Sequence, residues 1–285
     1  MIIAVASGKG GTGKTTVATS LALSVADQGP QVLDCDVEEP DAALYLKPVL
    51  SDSQQVGVLV PKVDASKCTG CGRCAELCAW SALAVVDRRV LVFPELCHGC
   101  GSCAANCPES AISEVLHVTG TVESGWAGPI GFAQGTLDVG EAMPGPIIRH
   151  LKRMHLEKSS GARVVILDAP PGTSCPVVDT MRGADYVLLV TEPTPFGLHD
   201  LRLAVEVARD QLGLPVGVVV NRDGVGDAGV DDYCAAEAIP ILMRIPLDRR
   251  IAQATADGHA LVEALPEYRP RFAELLQRIL AEAAG

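Results

Sequence analysis

The sequence predicts an α/β protein, a doubly wound, mostly parallel sheet covered by helices, with a small cysteine-rich α+β domain set into it. Three observations carry that expectation. An apolar run at 2–6 leads into a glycine-rich loop and then a helical pattern. Further apolar runs, suited to strands buried on both faces, alternate with helical stretches along the chain. Among the 11 cysteines, those from Cys68 to Cys107 crowd between two such strands.

The first strand, 2–6, is followed by Ser7-Gly8-Lys9-Gly10-Gly11-Thr12-Gly13-Lys14-Thr15-Thr16 and a helix over 14–28. Gly8 to Thr15 fits the phosphate-binding pattern G-x4-G-K-[ST] in its required setting, strand before and helix after. Glycines there let successive backbone N–H groups point inward at phosphates, at the positive end of the helix dipole. Lys14 is expected on the β- and γ-phosphates, and the Thr15 hydroxyl suits Mg²⁺. The second strand, 31–35, closes with Asp34 and Asp36, which share one side by two-residue alternation.

After it the chain departs from the sheet pattern. Residues 50–62 and 117–140 read as short connecting strands around an insert at 63–115. Cys68, Cys71, Cys74 and Cys78 are spaced C-x2-C-x2-C-x3-C, and Cys97, Cys100, Cys103 and Cys107 repeat that spacing. The repeat extends past the cysteines: Gly70 answers to Gly99, Gly72 to Gly101, Ala75 to Ala104, Ser81 to Ser110 and Ala82 to Ala111. This is an internal duplication. Such runs hold iron–sulfur clusters, with the fourth cysteine of each motif serving the other cluster. One [4Fe–4S] site is therefore expected at Cys68, Cys71, Cys74 and Cys107, and the other at Cys78, Cys97, Cys100 and Cys103. Four cysteines also suit zinc, although zinc motifs usually come as separated C-x2-C pairs. His98 reads as a neighbour of the ligands, and Cys35, Cys175 and Cys234 as ordinary small buried residues. The insert resembles a bacterial two-cluster ferredoxin, departing from it at Ala79-Trp80, where that family usually has proline after the fourth cysteine.

Strands at 163–167, 186–190, 216–220 and 241–245 follow, with helices near 144–158, 176–183, 198–211, 248–257 and 269–284. The run ending at Asp168 and Ala169-Pro170-Pro171-Gly172 suits a carboxylate that holds the water shell of Mg²⁺. In the last helix, Phe272, Leu275, Leu276, Ile279 and Leu280 recur at helical spacing, as expected of packing against the sheet.

Composition bounds the function. Formal net charge is −12 and aromatics are 4%, so the basic field and stacking rings of a dedicated nucleic-acid binder are missing. No apolar run reaches the roughly 18 residues of a bilayer span, and Met1 to Ser7 lacks a basic leader region. A cytoplasmic protein without nucleic-acid or membrane partners is expected, its clustered cysteines binding metal in preference to forming disulfides.

The loop Gly8-Lys9-Gly10-Gly11-Thr12-Gly13-Lys14-Thr15-Thr16, with its additional Lys9, resembles the deviant phosphate loop of the MinD/ParA/nitrogenase iron protein superfamily of ATPases. The resemblance implies that Lys9 reaches the partner's phosphates in an ATP-bound homodimer. It further implies that Asp36 positions the attacking water, that Asp34 and Asp168 lie near Mg²⁺ with Thr15, and that Asn221 reads adenine. Lys9, Lys14 and Asp36 are then the catalytic residues, and Gly8 to Thr16 with Asn221 the nucleotide site. Domains are expected at 1–62 and 116–285 for the ATPase and 63–115 for the ferredoxin insert. The expected function is a slow, partner-stimulated ATPase switch with ATP, Mg²⁺ and two [4Fe–4S] clusters. It would couple nucleotide state to electron transfer or metal-cluster delivery to a protein partner. A non-catalytic nucleotide-binding redox carrier or assembly scaffold is the alternative.

Overall fold

The structure, a computed structural model, describes residues 1–156 and 164–283. Two compact units are present. The first comprises 1–53, 122–136 and 148–285, and the second 54–121 and 137–147.

The first unit is built on strands whose residues are apolar and buried on both faces, as parallel sheets require. At its centre β1 (Ile2–Ala6) pairs in parallel with β8 (Val165–Asp168) on one side and β9 (Tyr186–Thr191) on the other. Beyond β9 lie β10 (Val216–Asp223) and the edge strand β11 (Ile241–Pro246). Beyond β8 lies β2 (Gln31–Asp34), whose register sets Asp34 beside Asp168. Chain order reverses at β1, so the loop after it opens at the topological switch point, where such sheets take ligands.

The sheet continues past β2 through β7 (Ile130–Leu137), β6 (Ile112–Ala127) and β3 (Val49–Val63), nine strands in all among the described residues. β7 is parallel to β2. In β3 and β6, Gly125 lies against Val49 while Gly57 lies against His117, so these strands run in opposite directions. The flanks 50–62 and 117–140, expected as short connecting strands, thus belong to long strands of the main sheet. Their alternating burial marks strands with one covered face, which gives no unbroken apolar run to show their length.

Helices α1 (Lys14–Ser24), α2 (Ala42–Leu46), α5 (Gly145–Leu156), α6 (Cys175–Met181), α7 (Pro195–Val205), α8 (Gly229–Ala236), α9 (Arg249–Ala256), α10 (Leu261–Ala264) and α11 (Arg269–Ala283) complete this part of the chain. The second unit adds α3 (Arg73–Glu76), α4 (Ser102–Ala105) and the hairpin β4 (Leu83–Val86) with β5 (Arg89–Val92). Several helix ends move from expectation. The helix expected over 14–28 stops at Ser24 and tightens to a 3-10 turn over Ala26–Gln28. The one expected from 198 starts at Pro195, capped by the Thr194 hydroxyl, and widens into a π turn over Glu206–Gln211. Positions 157–158, 163 and 284 of the expected elements lie outside the described residues.

In α11, Phe272, Leu275, Leu276 and Ile279 are fully buried against α1 and β11. Each such burial stabilises by roughly 1.5–3 kcal/mol. Lys152 on α5 is buried and donates to the carbonyls of Asp179, Thr180 and Arg182, capping the end of α6 with a cation. Among the described residues no helix is long and apolar enough to cross a membrane.

Candidate functional site

The loop between β1 and α1 is bent by glycines in positions where no other residue fits. Gly13 has φ +96, and a Cβ there would sit 2.5 Å from the Asn221 amide. A Cβ on Gly8 would fall 2.2 Å from the carbonyl oxygen of Asp200. The curled loop is held from the ends of two other strands. Asn221 Nδ2 donates to the Thr12 carbonyl at 2.7 Å, and Arg222 donates to the Gly11 carbonyl at 3.2 Å. Lys9 Nζ pairs at 3.2 Å with Glu192, a buried carboxylate just past β9 that also accepts from Arg222 at 2.5 Å.

The loop forms one wall of a cleft of about 490 Å³. Gly10, Gly11, Gly13, Lys14, Thr15 and Thr16 line it with Asp36 and Asn221, while Ile245, Leu247, Ile251 and Leu261 supply an apolar side. This volume is ordinary for a small-molecule site. Of the expected nucleotide-site residues, Gly8, Lys9 and Thr12 lie in the loop without lining the cleft.

Carboxylates back the loop. Asp34 is fully buried; its Oδ1 accepts from the Asp36 N–H and its Oδ2 from the Ala42 N–H. Burial, then the neighbouring Asp168, push its pKa well above the usual carboxylate range. Asp168 is also buried, and burial raises its pKa to about 7; the Thr15 hydroxyl and Lys14 ease its charge without closing a hydrogen bond to it. Among the described residues both Asp168 oxygens lack a hydrogen-bond partner, an arrangement that costs free energy unless a cation completes it. The donor set of Thr15 and Asp168 fits Mg²⁺, with Asp34 behind it and held by backbone N–H groups. Asp36 is half-buried, and burial lifts its pKa to about 6 against the pull of Lys14.

These shifts have a consequence for stability. Below about pH 4 the Asp168 carboxyl is protonated in folded and unfolded chains alike. Between there and about pH 7 only the unfolded chain has released its proton, so stability falls as pH rises, and above 7 the full cost remains. Asp168→Asn should therefore raise the melting temperature of metal-free protein at pH 8 by several degrees and change it little at pH 4. Thermal melts at the two pH values check this.

In the second unit the two cysteine motifs fold alike. Gly70, Gly72, Gly99 and Gly101 all have positive φ, as do Ser81 and Ser110. The Ala82 N–H donates to Cys78 Sγ and the Ala111 N–H to Cys107 Sγ, each at 3.3 Å. Cys68, Cys71, Cys74 and Cys107 line one cavity, and Cys78, Cys97, Cys100 and Cys103 line another. Among the described residues no three His, Cys, Asp or Glu side chains converge on a point that a single metal ion could occupy. Four thiols spaced around each cavity suit an iron–sulfide core. Outside the motifs Cys35 and Cys234 are buried, but Cys175 is exposed, against expectation.

Comparison with known proteins places this geometry. A family model described as CobQ/CobB/MinD/ParA nucleotide binding domain matches residues 3–262. The chain belongs to this family. Its parallel sheet, with the loop at the switch point, is accordingly a MinD/ParA-type nucleotide-binding fold. Uncharacterized protein MJ0578 of Methanocaldococcus jannaschii is 30% identical over 98% of this chain and 96% of its own. A cytosolic Fe-S cluster assembly factor, the NUBP2 homolog of Culex quinquefasciatus, is 26% identical over 93% of this chain and 91% of its own. Among solved structures, the septum site-determining protein MinD from Pyrococcus horikoshii, complexed with Mg-ADP, superposes with a TM-score of 0.58 at 18% identity, over 98% of this chain and 95% of that one.

Sequence reasoning did not single out Glu192 and Arg222. The signal was present: Glu192 follows the carboxyl end of β9, beside β1, and Arg222 lies in the last residues of β10, the next strand, the same level at which Asp36 and Asn221 were found.

Proposed function

We propose that the chain is an ATP-hydrolysing switch that carries two [4Fe–4S] clusters in the cytoplasm. Its nucleotide state would be coupled to electron transfer or to delivery of a metal cluster to a protein partner. The observation that carries this reading is the interleaving of the thiols, Cys107 with Cys68, Cys71 and Cys74, and Cys78 with Cys97, Cys100 and Cys103. Membership of a family of ATPases supports the nucleotide half. Relatives named as Fe-S cluster assembly factors support the metal half.

In this reading ATP lies along the loop with its phosphates on the N–H groups that lead into α1 and its base toward Ile245 and Leu247. Lys14 balances the β- and γ-phosphates from its buried stem. Thr15 and Asp168 hold Mg²⁺, which when bound neutralises charge on the phosphoryl group. Asp36, ionised above about pH 6, accepts a hydrogen bond from the attacking water and aims it at the γ-phosphorus. The Asn221 amide has both donor and acceptor for a base edge, its donor resting on the Thr12 carbonyl and its acceptor taking the Arg222 N–H until nucleotide enters. When bound, the clusters supply one-electron chemistry.

Family members commonly dimerise on ATP binding. For Lys9 to act across such a dimer it must leave Glu192, whose charge Arg222 would then balance alone. Glu192→Gln should increase the ATP-dependent dimer roughly three- to tenfold at limiting nucleotide, and Lys9→Ala should decrease it. Sedimentation with and without Mg-ATP checks both; unchanged profiles count against the sandwich.

Anaerobically purified protein should contain iron and acid-labile sulfide and no stoichiometric zinc, and the same sample should release phosphate from Mg-ATP. Asp36→Ala should cut that release by about 100-fold or more. A colourless zinc protein would overturn the cluster half. The alternative, a non-catalytic nucleotide-binding redox carrier or assembly scaffold, has in its favour the relatives named as Fe-S cluster assembly factors, and tight ATP binding with no phosphate release would establish it.

A further inference from the structure

The internal duplication makes each cysteine motif a control for the other, and the two cavities differ in what surrounds matched thiols. Backbone N–H donors to the fourth cysteines are equal at 3.3 Å, and the glycine turns are the same. Differences lie in the side chains.

Over the second cavity, lined by Cys78, Cys97, Cys100 and Cys103, Trp80 and His98 stack with ring centroids 3.6 Å apart and planes 13° from parallel. Trp80 stands where the duplicate motif has Glu109, two residues past the fourth cysteine, and His98 where it has Thr69. Leu59 and Pro61 complete an apolar rim, and Glu114 is the charged carboxylate among the lining residues. Two of the four thiols, Cys97 and Cys103, are buried.

The first cavity has no aromatic lining and a single buried thiol, Cys74. Arg73 lines it beside Glu109, and Arg88 donates to the Thr69 carbonyl on the same loop at 3.1 Å. Arg73, which also reaches Glu76 at 4.0 Å, thus offsets the lining carboxylate there, and Arg88 adds a cation behind the loop. Accepting an electron adds one negative charge to a site. Excluding water and placing a carboxylate nearby disfavour that charge, whereas guanidinium groups and solvent favour it. One feature opposes this order: the Ser102 hydroxyl lies within hydrogen-bond distance of Cys100 Sγ, at 3.5 Å, although it brings a dipole and no full charge.

We infer that the Trp80–His98 lid and Glu114 make the second cavity the site of the lower reduction potential. A first electron then resides at Cys68, Cys71, Cys74 and Cys107. This rests on the reading that both cavities hold [4Fe–4S] clusters.

The test is an anaerobic redox titration of the reconstituted full chain, followed by electron paramagnetic resonance, with iron and sulfide measured on each sample. Wild type should show two one-electron waves. Trp80→Ala and Glu114→Gln should each raise the lower wave and leave the upper one in place. The expected size for Trp80→Ala is about a tenfold change in the fraction reduced at fixed potential, equivalent to about 59 mV. Glu114 is exposed and its smaller effect should fade with added salt. If Trp80→Ala loses iron, Glu114→Gln decides, since it removes only a charge. Coincident waves in wild type, or variants that move the upper wave, overturn the inference while leaving the clusters in place. A chain that takes up no iron and sulfide fails the underlying reading instead.

Discussion

Replacing Lys14 by alanine should reduce phosphate release from Mg-ATP by at least about 100-fold, and by more if positioning is lost as well. Its ammonium is buried at the first residue of α1, so it acts on phosphate where water screens little. It is also the cation that lowers the pKa of both Asp36 and Asp168. Without it, these two carboxylates lose their counter-charge and become harder to ionise. Nucleotide-free Lys14→Ala protein should therefore hold its protons to higher pH. Iron content should stay unchanged, because the cysteine cavities lie in the second unit. Phosphate release within threefold of wild type, in a variant with normal melting, would remove Lys14 from the mechanism.

The second large effect concerns cluster ownership. Cys107→Ser should lose one cluster's iron and sulfide, and the lost cluster should be that of the other motif. Double variants make this decisive. Combined with Cys71→Ser, which lines the same cavity, Cys107→Ser should lose nothing further; combined with Cys100→Ser it should lose both clusters. The geometry explains why a sequence neighbour is not a spatial one. The first two thiols of each motif sit on a glycine turn, the third lies on the single turn of helix that follows, α3 or α4, and the fourth lies just past that turn, whose length carries it to the opposite cavity. If iron loss followed sequence motifs, with Cys107 and Cys100 variants non-additive, the crossed assignment would fail.

How much of this was legible beforehand differs by element. Gly13 and Lys14 were readable because only a few residue types satisfy a loop that turns backbone N–H groups inward, and the pattern is contiguous. The central strands were readable because burial on both faces leaves an unbroken apolar run. β3 and β6 were legible as strands but not in their length or pairing, since one-sided burial mixes polar and apolar positions and their partners lie more than fifty residues apart. Asp34 and Asp168 were both marked as carboxylates at strand ends. Their difference, one satisfied by backbone N–H groups and the other left open, depends on the fold of 36–42 around Asp34.

Residue order alone determined the phosphate loop, the duplicated thiol spacing and the class of sheet, because each is a local pattern imposed by backbone geometry or ligand chemistry. Tertiary structure decided the hold of Glu192 on Lys9, the grip of Asn221 and Arg222 on the loop, and the stacked rings over one thiol cavity. Those contacts join side chains from separate strands and turns, and no local preference of the chain encodes a distance between them.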